Sequence, residues 1–281
     1  DYQRSRGLGD VYKRQDSTGS TNDDAKDFLA DQSKSLSFHL TEQQVAGKGR
    51  NGKKWVSPKG RNIYLSTGWK TELNYTELDG LSLATGIVVA KCLNTYANNK
   101  IKLKWPNDLL VNNKKISGVL IETIDLDSKL GVVIGIGINI HMNEAEGKDI
   151  DQSWVSLDGI SNKIHDRNEI LGDLISGIGV MTKDFSRKGF KAFKADFEKL
   201  DLLIGKKCKI EIKGTDKIVE ASGINDRGEL VVKDNLIIKK ESSKGTKNML
   251  QSINRFQAKG GILIKFPKKK QDLRIDLPTV G

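Results

Sequence analysis

Lys104-Trp105-Pro106-Asn107-Asp108, followed by Lys114-Lys115-Ile116-Ser117-Gly118-Val119-Leu120-Ile121-Glu122, is the stretch on which the reading of this chain turns. Pro106 has no backbone N–H to donate and biases Trp105 toward β geometry, so the apolar run over 101–105 stops there. Asn112-Asn113 makes a tight turn and sends a second strand back through 118–124. The return brings Lys115 to the end of the hairpin where Asp108 sits. A carboxylate able to hold Mg²⁺ beside an ammonium able to hold phosphate is what nucleotide activation needs. An exposed turn with one surface ion pair would read the same way from these residues alone.

A second segment shifts the balance. Gln43-Gln44-Val45-Ala46-Gly47-Lys48-Gly49-Arg50-Asn51-Gly52-Lys53-Lys54-Trp55 carries three glycines and four cations within its last nine residues. Glycine loses much backbone entropy on ordering, so a mobile loop is expected. Its N–H groups and cations can close over a polyphosphate and exclude water. A solvated basic loop or an RNA-binding run has the same composition. The loop falls between strands expected over 36–44 and 62–69, where an α/β enzyme carries an active-site flap.

Ser20-Thr21-Asn22-Asp23, the 47–55 loop, the 104–108 and 115–118 segments, and Gly135-Ile136-Gly137-Ile138-Asn139 stand in the order and spacing of one family. Over residues 16–238 the chain resembles the biotin protein ligases, or biotin–acetyl-CoA-carboxylase ligases. The resemblance implies a reaction in two steps. Biotin's carboxylate attacks the α-phosphorus of ATP, giving biotinoyl-5′-AMP and pyrophosphate. The mixed anhydride then acylates a lysine of a biotin carboxyl carrier protein or domain, with ATP and Mg²⁺ required.

Carried over position by position, the resemblance gives Ser20, Thr21 and Gln44 to the biotin ureido ring, with Gly47 and Lys48 beside them. Gly118 and Gly135 let the backbone approach the ring and its tail. Arg50, with Gly49, Lys53 and Trp55, goes to the adenylate phosphate. Lys115 contacts the reacting carboxylate and α-phosphate, and Asp108 holds Mg²⁺ or accepts the proton of the incoming amine. Asn107, Asn139 and Trp154 position the adenylate, Trp154 as a stacking face for adenine. Lys48 and Lys53 replace arginines of the family pattern; they keep the charge and lose the planar fork.

The same resemblance implies an α+β chain, with a class II synthetase-like mixed sheet flanked by helices and then a small SH3-like β-barrel. The expected division is a non-native or disordered leader over 1–15, a catalytic domain over 16–200, the barrel over 201–238, and an unrelated basic tail over 239–281. Fifteen leading residues are too few for a helix-turn-helix, so no repressor domain is expected. Gly260-Gly261-Ile262-Leu263-Ile264-Lys265 and Gln271-Asp272-Leu273-Arg274-Ile275-Asp276-Leu277-Pro278-Thr279-Val280-Gly281 resemble instead the C-terminal part of a UDP-2,3-diacylglucosamine pyrophosphatase. That pattern suggests a fusion of gene fragments or an assembly artefact at both ends, and a divergent basic tail is the alternative reading.

Apolar residues recur at helical spacing over 22–30, 78–96, 171–185 and 190–200, and these stripes are core. Short alternating strands are expected over 206–213, 217–222 and 229–233. Gly131-Val132-Val133-Ile134-Gly135-Ile136-Gly137-Ile138 lacks the third glycine that opens a helix in a dinucleotide fingerprint. A buried strand whose glycines admit a ligand fits it better.

Composition narrows the field. Of the net charge of +11, residues 255–281 carry seven basic and two acidic groups and residues 1–15 carry four and two. That leaves +4 for residues 16–254, modest for a nucleic-acid surface, so no such partner is expected. No run approaches the ~20 apolar residues that span a bilayer, and no signal peptide is visible, so a cytoplasmic protein without a membrane partner is expected. Cys92 and Cys208 lack metal-like spacing, and His39, His141 and His165 form no ligand set. A homodimer is possible in the family. Two rival readings stay open: a lipoate–protein ligase, and a ligase-like binding module that no longer catalyses.

Overall fold

The computed structural model describes residues 2–4, 11–31, 35–98, 100–212, 215–233 and 236–238. Eight strands form its main sheet: β1 (Tyr2–Arg4), β2 (Val11–Gln15), β3 (Leu36–Thr41), β4 (Ile63–Thr71), β5 (Lys102–Lys104), β6 (Asp108–Val111), β7 (Lys114–Asp125) and β8 (Leu130–Ile138). Their order is β1-β2-β3-β4-β8-β7-β6-β5. Strands β2 and β3 run parallel, and every other neighbouring pair is antiparallel. The sheet is therefore mixed, as the resemblance implied.

Residues 11–15 correct one expectation. They fall within the stretch read as a leader, yet they form β2, and Tyr12 stacks on Phe38 of β3 with ring centroids 5.3 Å apart. A five-residue strand with a single apolar pair has no periodicity of its own and draws its order from its neighbour.

Helices cover both faces. Helix α1 (Thr21–Asp31) lies on one, where Ala25 and Leu29 are buried against Val133. Gly68 of β4 lets α1 sit close, since a Cβ there would lie 3.1 Å from Leu29 and 3.4 Å from the Ala25 carbonyl. Helix α2 (Leu81–Asn94) lies on the other face, sandwiched between the sheet and α4 (Arg167–Lys188). That position explains why α2 is apolar nearly all round, with Leu81, Leu83, Ala84, Ile87, Val89, Ala90 and Leu93 buried. Helix α4 is amphipathic and buries Ile170, Leu174, Ile178, Met181 and Phe185. Asp166 caps it by accepting the Asn168 N–H at 2.7 Å. The short α3 (Leu157–Ser161) and α5 (Lys194–Leu200) complete the helices.

Four more strands, β9 (Lys207–Ile212), β10 (Thr215–Ile224), β11 (Leu230–Val232) and β12 (Leu236–Ile238), make a second antiparallel sheet in the order β12-β11-β10-β9. Among the described residues it is open, with β9 and β12 at its edges, where a closed barrel was expected. Closure requires the edge strands to pair, and β11 and β12 have three residues each. The sheet docks through Trp105, whose Nε1 donates to the Gly228 carbonyl at 2.9 Å, and through an Arg227–Asp79 ion pair. The tail expected over 239–281 lies outside the described residues.

Candidate active site

Strand register lays out the floor of the site. Tyr64 of β4 pairs with Gly137 of β8, Gly137 with Gly118 of β7, and Gly118 with Asp108 of β6. Residues opposite one another share a face of the sheet, so these four form one row with two bare glycines at its centre. The row lies on the α1 side. The indole of Trp55 lies over the glycines: a Cβ at Gly118 would sit 3.2 Å from Trp55 Cζ3, and one at Gly137 would overlap the ring. Tyr64 bounds the row, donating its hydroxyl to the Pro58 carbonyl at 2.9 Å, and burial pushes its phenol up.

Lys115 reaches this row through a β-bulge. Asp108 pairs with Gly118 and Leu109 with Ser117, but Leu110 then pairs with Lys115, leaving Ile116 as the extra residue. Without that extra residue Lys115 would face Val111, whose side chain is 2% exposed and points into the core. With it, Lys115 Nζ lies 2.7 Å from Asp108 Oδ1 and 5.5 Å from the Trp55 ring centroid. The lysine and aspartate side chains are 16% and 26% exposed, so the pair is largely shielded from water. The turn that delivers them is Asn112-Asn113, both at positive φ, as a two-residue hairpin requires.

The glycine-rich loop folds over this row as a small hairpin. Lys48 and Lys54 are bridged, the Gly49 N–H donates to the Lys53 carbonyl at 2.7 Å, and the Trp55 N–H donates to the Gly47 carbonyl at 2.9 Å. Arg50 donates from Nη1 to Asn107 Oδ1 at 2.9 Å, and Asn107 is held by donating from Nδ2 to the Val119 carbonyl at 3.0 Å. At the other side Lys48 Nζ meets both Asp23 oxygens at 2.5 and 2.6 Å. Gly47 is required: a Cβ there would lie 2.5 Å from the Trp55 carbonyl and 2.7 Å from Ser57 Oγ. The loop expected to be mobile is thus drawn closed, with Arg50 beside the 104–108 turn.

A polar cluster borders the row at the start of α1. Gln44 Oε1 accepts the Thr21 N–H at 3.0 Å, and Gln44 Nε2 donates to Ser57 Oγ at 3.1 Å. Thr21 Oγ1 lies 2.7 Å from Ser66 Oγ. Ser66 donates to Asn22 Oδ1 at 2.6 Å, and Asn22 Nδ2 donates to Glu122 Oε2 at 2.7 Å. Lys26 Nζ closes the chain on Glu122 Oε1 at 2.5 Å. Gly135 pairs with Ser66, and its missing side chain makes room for the Asn22 amide. Ser20 is buried at the head of the helix, where its carbonyl accepts the Asp23 and Asp24 N–H groups at 3.0 and 3.2 Å.

The residues expected from sequence therefore gather in two linked groups. Ser20, Thr21, Gln44, Gly47, Lys48 and Gly135 form the polar end. Gly49, Arg50, Trp55, Asn107, Asp108, Lys115 and Gly118 form the row and its cover, and Lys53 is exposed on the same hairpin. Asn139 and Trp154 stand one layer back. The Asn139 N–H donates to the Ile116 carbonyl at 2.9 Å, its Nδ2 donates to the Val155 carbonyl at 3.3 Å, and Trp154 bridges to Lys115 while its ring packs on Gly147. Asn22, Ser66, Glu122, Lys26 and Gly137 are the members that the sequence reading did not single out. For Gly137 the two-residue spacing from Gly135 was a usable signal, and Asn22 and Glu122 lay within quoted motifs; for Ser66 and Lys26 there was none.

The histidines stay apart from the site. Burial, and then the charge of Lys13, pull His39 down to about 4. His141 and His165 both approach Asp158 through Nδ1, at 2.6 and 2.8 Å. Burial pushes the Cys92 thiol up to about 12 and raises that of Cys208. Among the described residues no group of three or more His, Cys, Asp or Glu side chains is placed to hold a metal, and no helix is long and apolar enough to cross a membrane.

A hairpin-borne carboxylate–ammonium pair thus stands on a glycine floor under a cationic loop, and the comparisons place the chain that carries it. The model of the biotin/lipoate A/B protein ligase family matches residues 11–139. The biotin–[acetyl-CoA-carboxylase] ligase of Mycobacterium tuberculosis is 30% identical over 222 residues, 76% of this chain and 79% of that one. The bifunctional ligase/repressor BirA of Escherichia coli is 36% identical over 204 residues, 71% of this chain and 62% of BirA. The biotin protein ligase of Aquifex aeolicus, solved in complex with biotin and ATP, superposes with a TM-score of 0.68 at 29% identity, covering 82% of this chain and 95% of that one.

The chain belongs to the biotin protein ligase family. It spans about 62% of the length of the BirA proteins it matches first. A model described as the LpxI C-terminal domain matches residues 205–281, in line with the second resemblance of the tail, though it begins earlier, at the small sheet.

Proposed function

We infer that this chain activates biotin with ATP to biotinoyl-5′-AMP and transfers the biotinoyl group to a lysine of a carboxyl carrier protein or domain. The observation that carries the reading is the Lys115–Asp108 pair at 2.7 Å on the Gly118–Gly137 floor, beneath a loop that presents Arg50. The Aquifex relative binding biotin and ATP supports it.

The roles follow from charge and position. The attack of a carboxylate on a phosphate brings two anions together and spreads negative charge over the phosphoryl oxygens. Lys115, preorganised by Asp108 and shielded from water, lowers that barrier, and Arg50 adds a planar fork of donors for the phosphate. The loop over the floor keeps water from the mixed anhydride until an amine arrives. In the second step Asp108 takes the proton that the carrier lysine gives up to attack as a neutral amine, and AMP leaves as the acyl–phosphate bond breaks. The polar cluster at Thr21 and Gln44 holds the ureido ring, and Gly118 and Gly135 admit the ligand close to the backbone. Trp154 and Asn139 support the adenylate side. The open sheet over 207–238 stands in for the family's SH3-like barrel, beside a catalytic domain over 16–200.

Mg²⁺ fits one ligand of this site. Asp108 Oδ1 is buried and has no aligned hydrogen bond despite its contact with Lys115. A single carboxylate together with substrate phosphate oxygens is a usual Mg²⁺ ligand set. When bound, the ion would neutralise phosphate charge.

The test is biotin- and ATP-dependent pyrophosphate release, followed by label transfer to a carboxyl carrier domain, with Lys115→Ala as control. Release and transfer that Lys115→Ala abolishes support the reading. Turnover with lipoate and none with biotin would replace it with the lipoate reading.

A further inference from the structure

The hydrogen-bond chain at the polar end has a direction, and its source lies outside the ligand site. Glu122 presents a carboxylate, which only accepts, so the Asn22 atom facing it at 2.7 Å must be the NH₂ group. Asn22 then turns its carbonyl oxygen to Ser66, and the single proton of Ser66 goes to it across 2.6 Å. Ser66 can now only accept from Thr21, so the single proton of Thr21 is taken up in the 2.7 Å contact between them. Independently, the Thr21 backbone N–H can only donate, which fixes Oε1 of Gln44 toward Thr21. Thr21 Oγ1 also lies 3.1 Å from Gln44 Oε1, a contact in which the threonine would be the donor. Its one proton cannot serve both contacts, and the shorter one to Ser66, whose own proton is spent on Asn22, claims it. Thr21 Oγ1 and Gln44 Oε1 then form an acceptor cleft, suited to a ligand N–H and unfavourable to a ligand oxygen.

We propose that Glu122 is a positioning residue for specificity: through Asn22 and Ser66 it makes Thr21 Oγ1 an obligate acceptor and so selects a ring that carries N–H groups. The proposal rests on the biotin reading above and deepens it, since a ureido ring has two N–H donors and a dithiolane has none. Glu122 reaches no ligand itself. Lys26, whose ammonium lies 2.5 Å from its other oxygen, holds the carboxylate in place. Breaking the direction at any step frees the Thr21 proton to turn onto Gln44 Oε1, which removes the cleft without removing any ligand contact.

The experiment uses the full chain and reads steady-state pyrophosphate release. Glu122→Gln lets the amide at position 122 donate to Asn22, so Asn22 can flip and the chain lose its direction. The expected result is a KM for biotin raised about tenfold, the scale of one misdirected buried hydrogen bond, with kcat and the KM for ATP little changed. The double variant Glu122→Gln/Asn22→Asp moves the carboxylate one step along. The new amide at position 122 then donates to it, Ser66 again has only an acceptor before it, and the KM for biotin returns toward the wild-type value. Ser66→Ala, which removes the acceptor for the Thr21 proton, is expected to raise the same KM and provides a second reading should Glu122→Gln fold poorly. An unchanged KM in Glu122→Gln overturns the proposal, as does a double variant no better than the single one, which would make Glu122 a packing residue. A wild-type protein that releases no pyrophosphate with biotin overturns the functional reading itself, and that result is visible before any variant is made.

Discussion

Removing the charge of Lys115 should separate an active-site ion pair from a surface one. At 2.7 Å and an effective dielectric of about 20, the gross attraction to Asp108 is about 6 kcal/mol. Desolvation takes back several kcal/mol of that, because both side chains are mostly shielded. A net coupling of about 2–3 kcal/mol is expected, against about 0–1 kcal/mol for an exposed pair. The assay is a double-mutant cycle of Lys115→Met and Asp108→Asn followed by urea unfolding. Each single variant should lose about 2 kcal/mol, since it leaves a partly buried partner without compensation, and the double variant should lose hardly more. Pyrophosphate release should be lost with Lys115→Met and should not return in the double variant, although that variant is hardly less stable than either single one. A coupling below about 0.5 kcal/mol would mean that the pair is solvated, and the argument from preorganised charge would fall. Activity that survives Lys115→Met would remove the lysine from the reacting atoms.

Two further outcomes follow from packing and burial. In Gly137→Ala the added methyl would lie 2.6 Å from Trp55 Cζ2 and Nε1, so the indole must lift off the floor. The expected cost is about 1–3 kcal/mol of stability, with a red-shifted emission that a Trp55→Phe background abolishes; unshifted emission would place Trp55 elsewhere. For His39, the folded value of about 4 lies below the ordinary 6.5, so the fold holds the ring neutral. Its contribution to stability is complete above about pH 6.5 and declines as pH falls toward 4, by about 3 kcal/mol in all. Across that window His39→Gln should show a shallower loss of urea-unfolding free energy than wild type, and parallel curves would contradict the burial argument.

Much of this fold could be read from short windows of sequence, because those windows carry its causes. Asn112-Asn113 reads as a turn because asparagine tolerates the positive φ that both residues adopt. The helix over 171–185 reads as a helix because its apolar residues repeat at the spacing that buries Leu174, Ile178, Met181 and Phe185. Residues 131–138 read as a buried strand because they are apolar or glycine throughout, and β8 is central. Val11–Gln15 was missed because its partner, β3, begins some twenty residues further on and supplies the contacts that order it.

The candidate chemical groups were legible in the chain alone: an acid, a lysine and an arginine near glycines, each placed by a local turn or strand that its neighbours dictate. The sequence could not place Lys115 on the face of Gly118, since three residues apart on a regular strand point opposite ways. Pairing with β6 decided that, through the bulge at Ile116. Nor could it join Asn22 to Ser66 and Glu122, 44 and 100 residues away, whose meeting depends on α1 packing across β4, β8 and β7. Local periodicity resides in neighbouring residues, whereas strand register and the direction of a hydrogen-bond chain arise only when distant segments satisfy each other's buried polar groups.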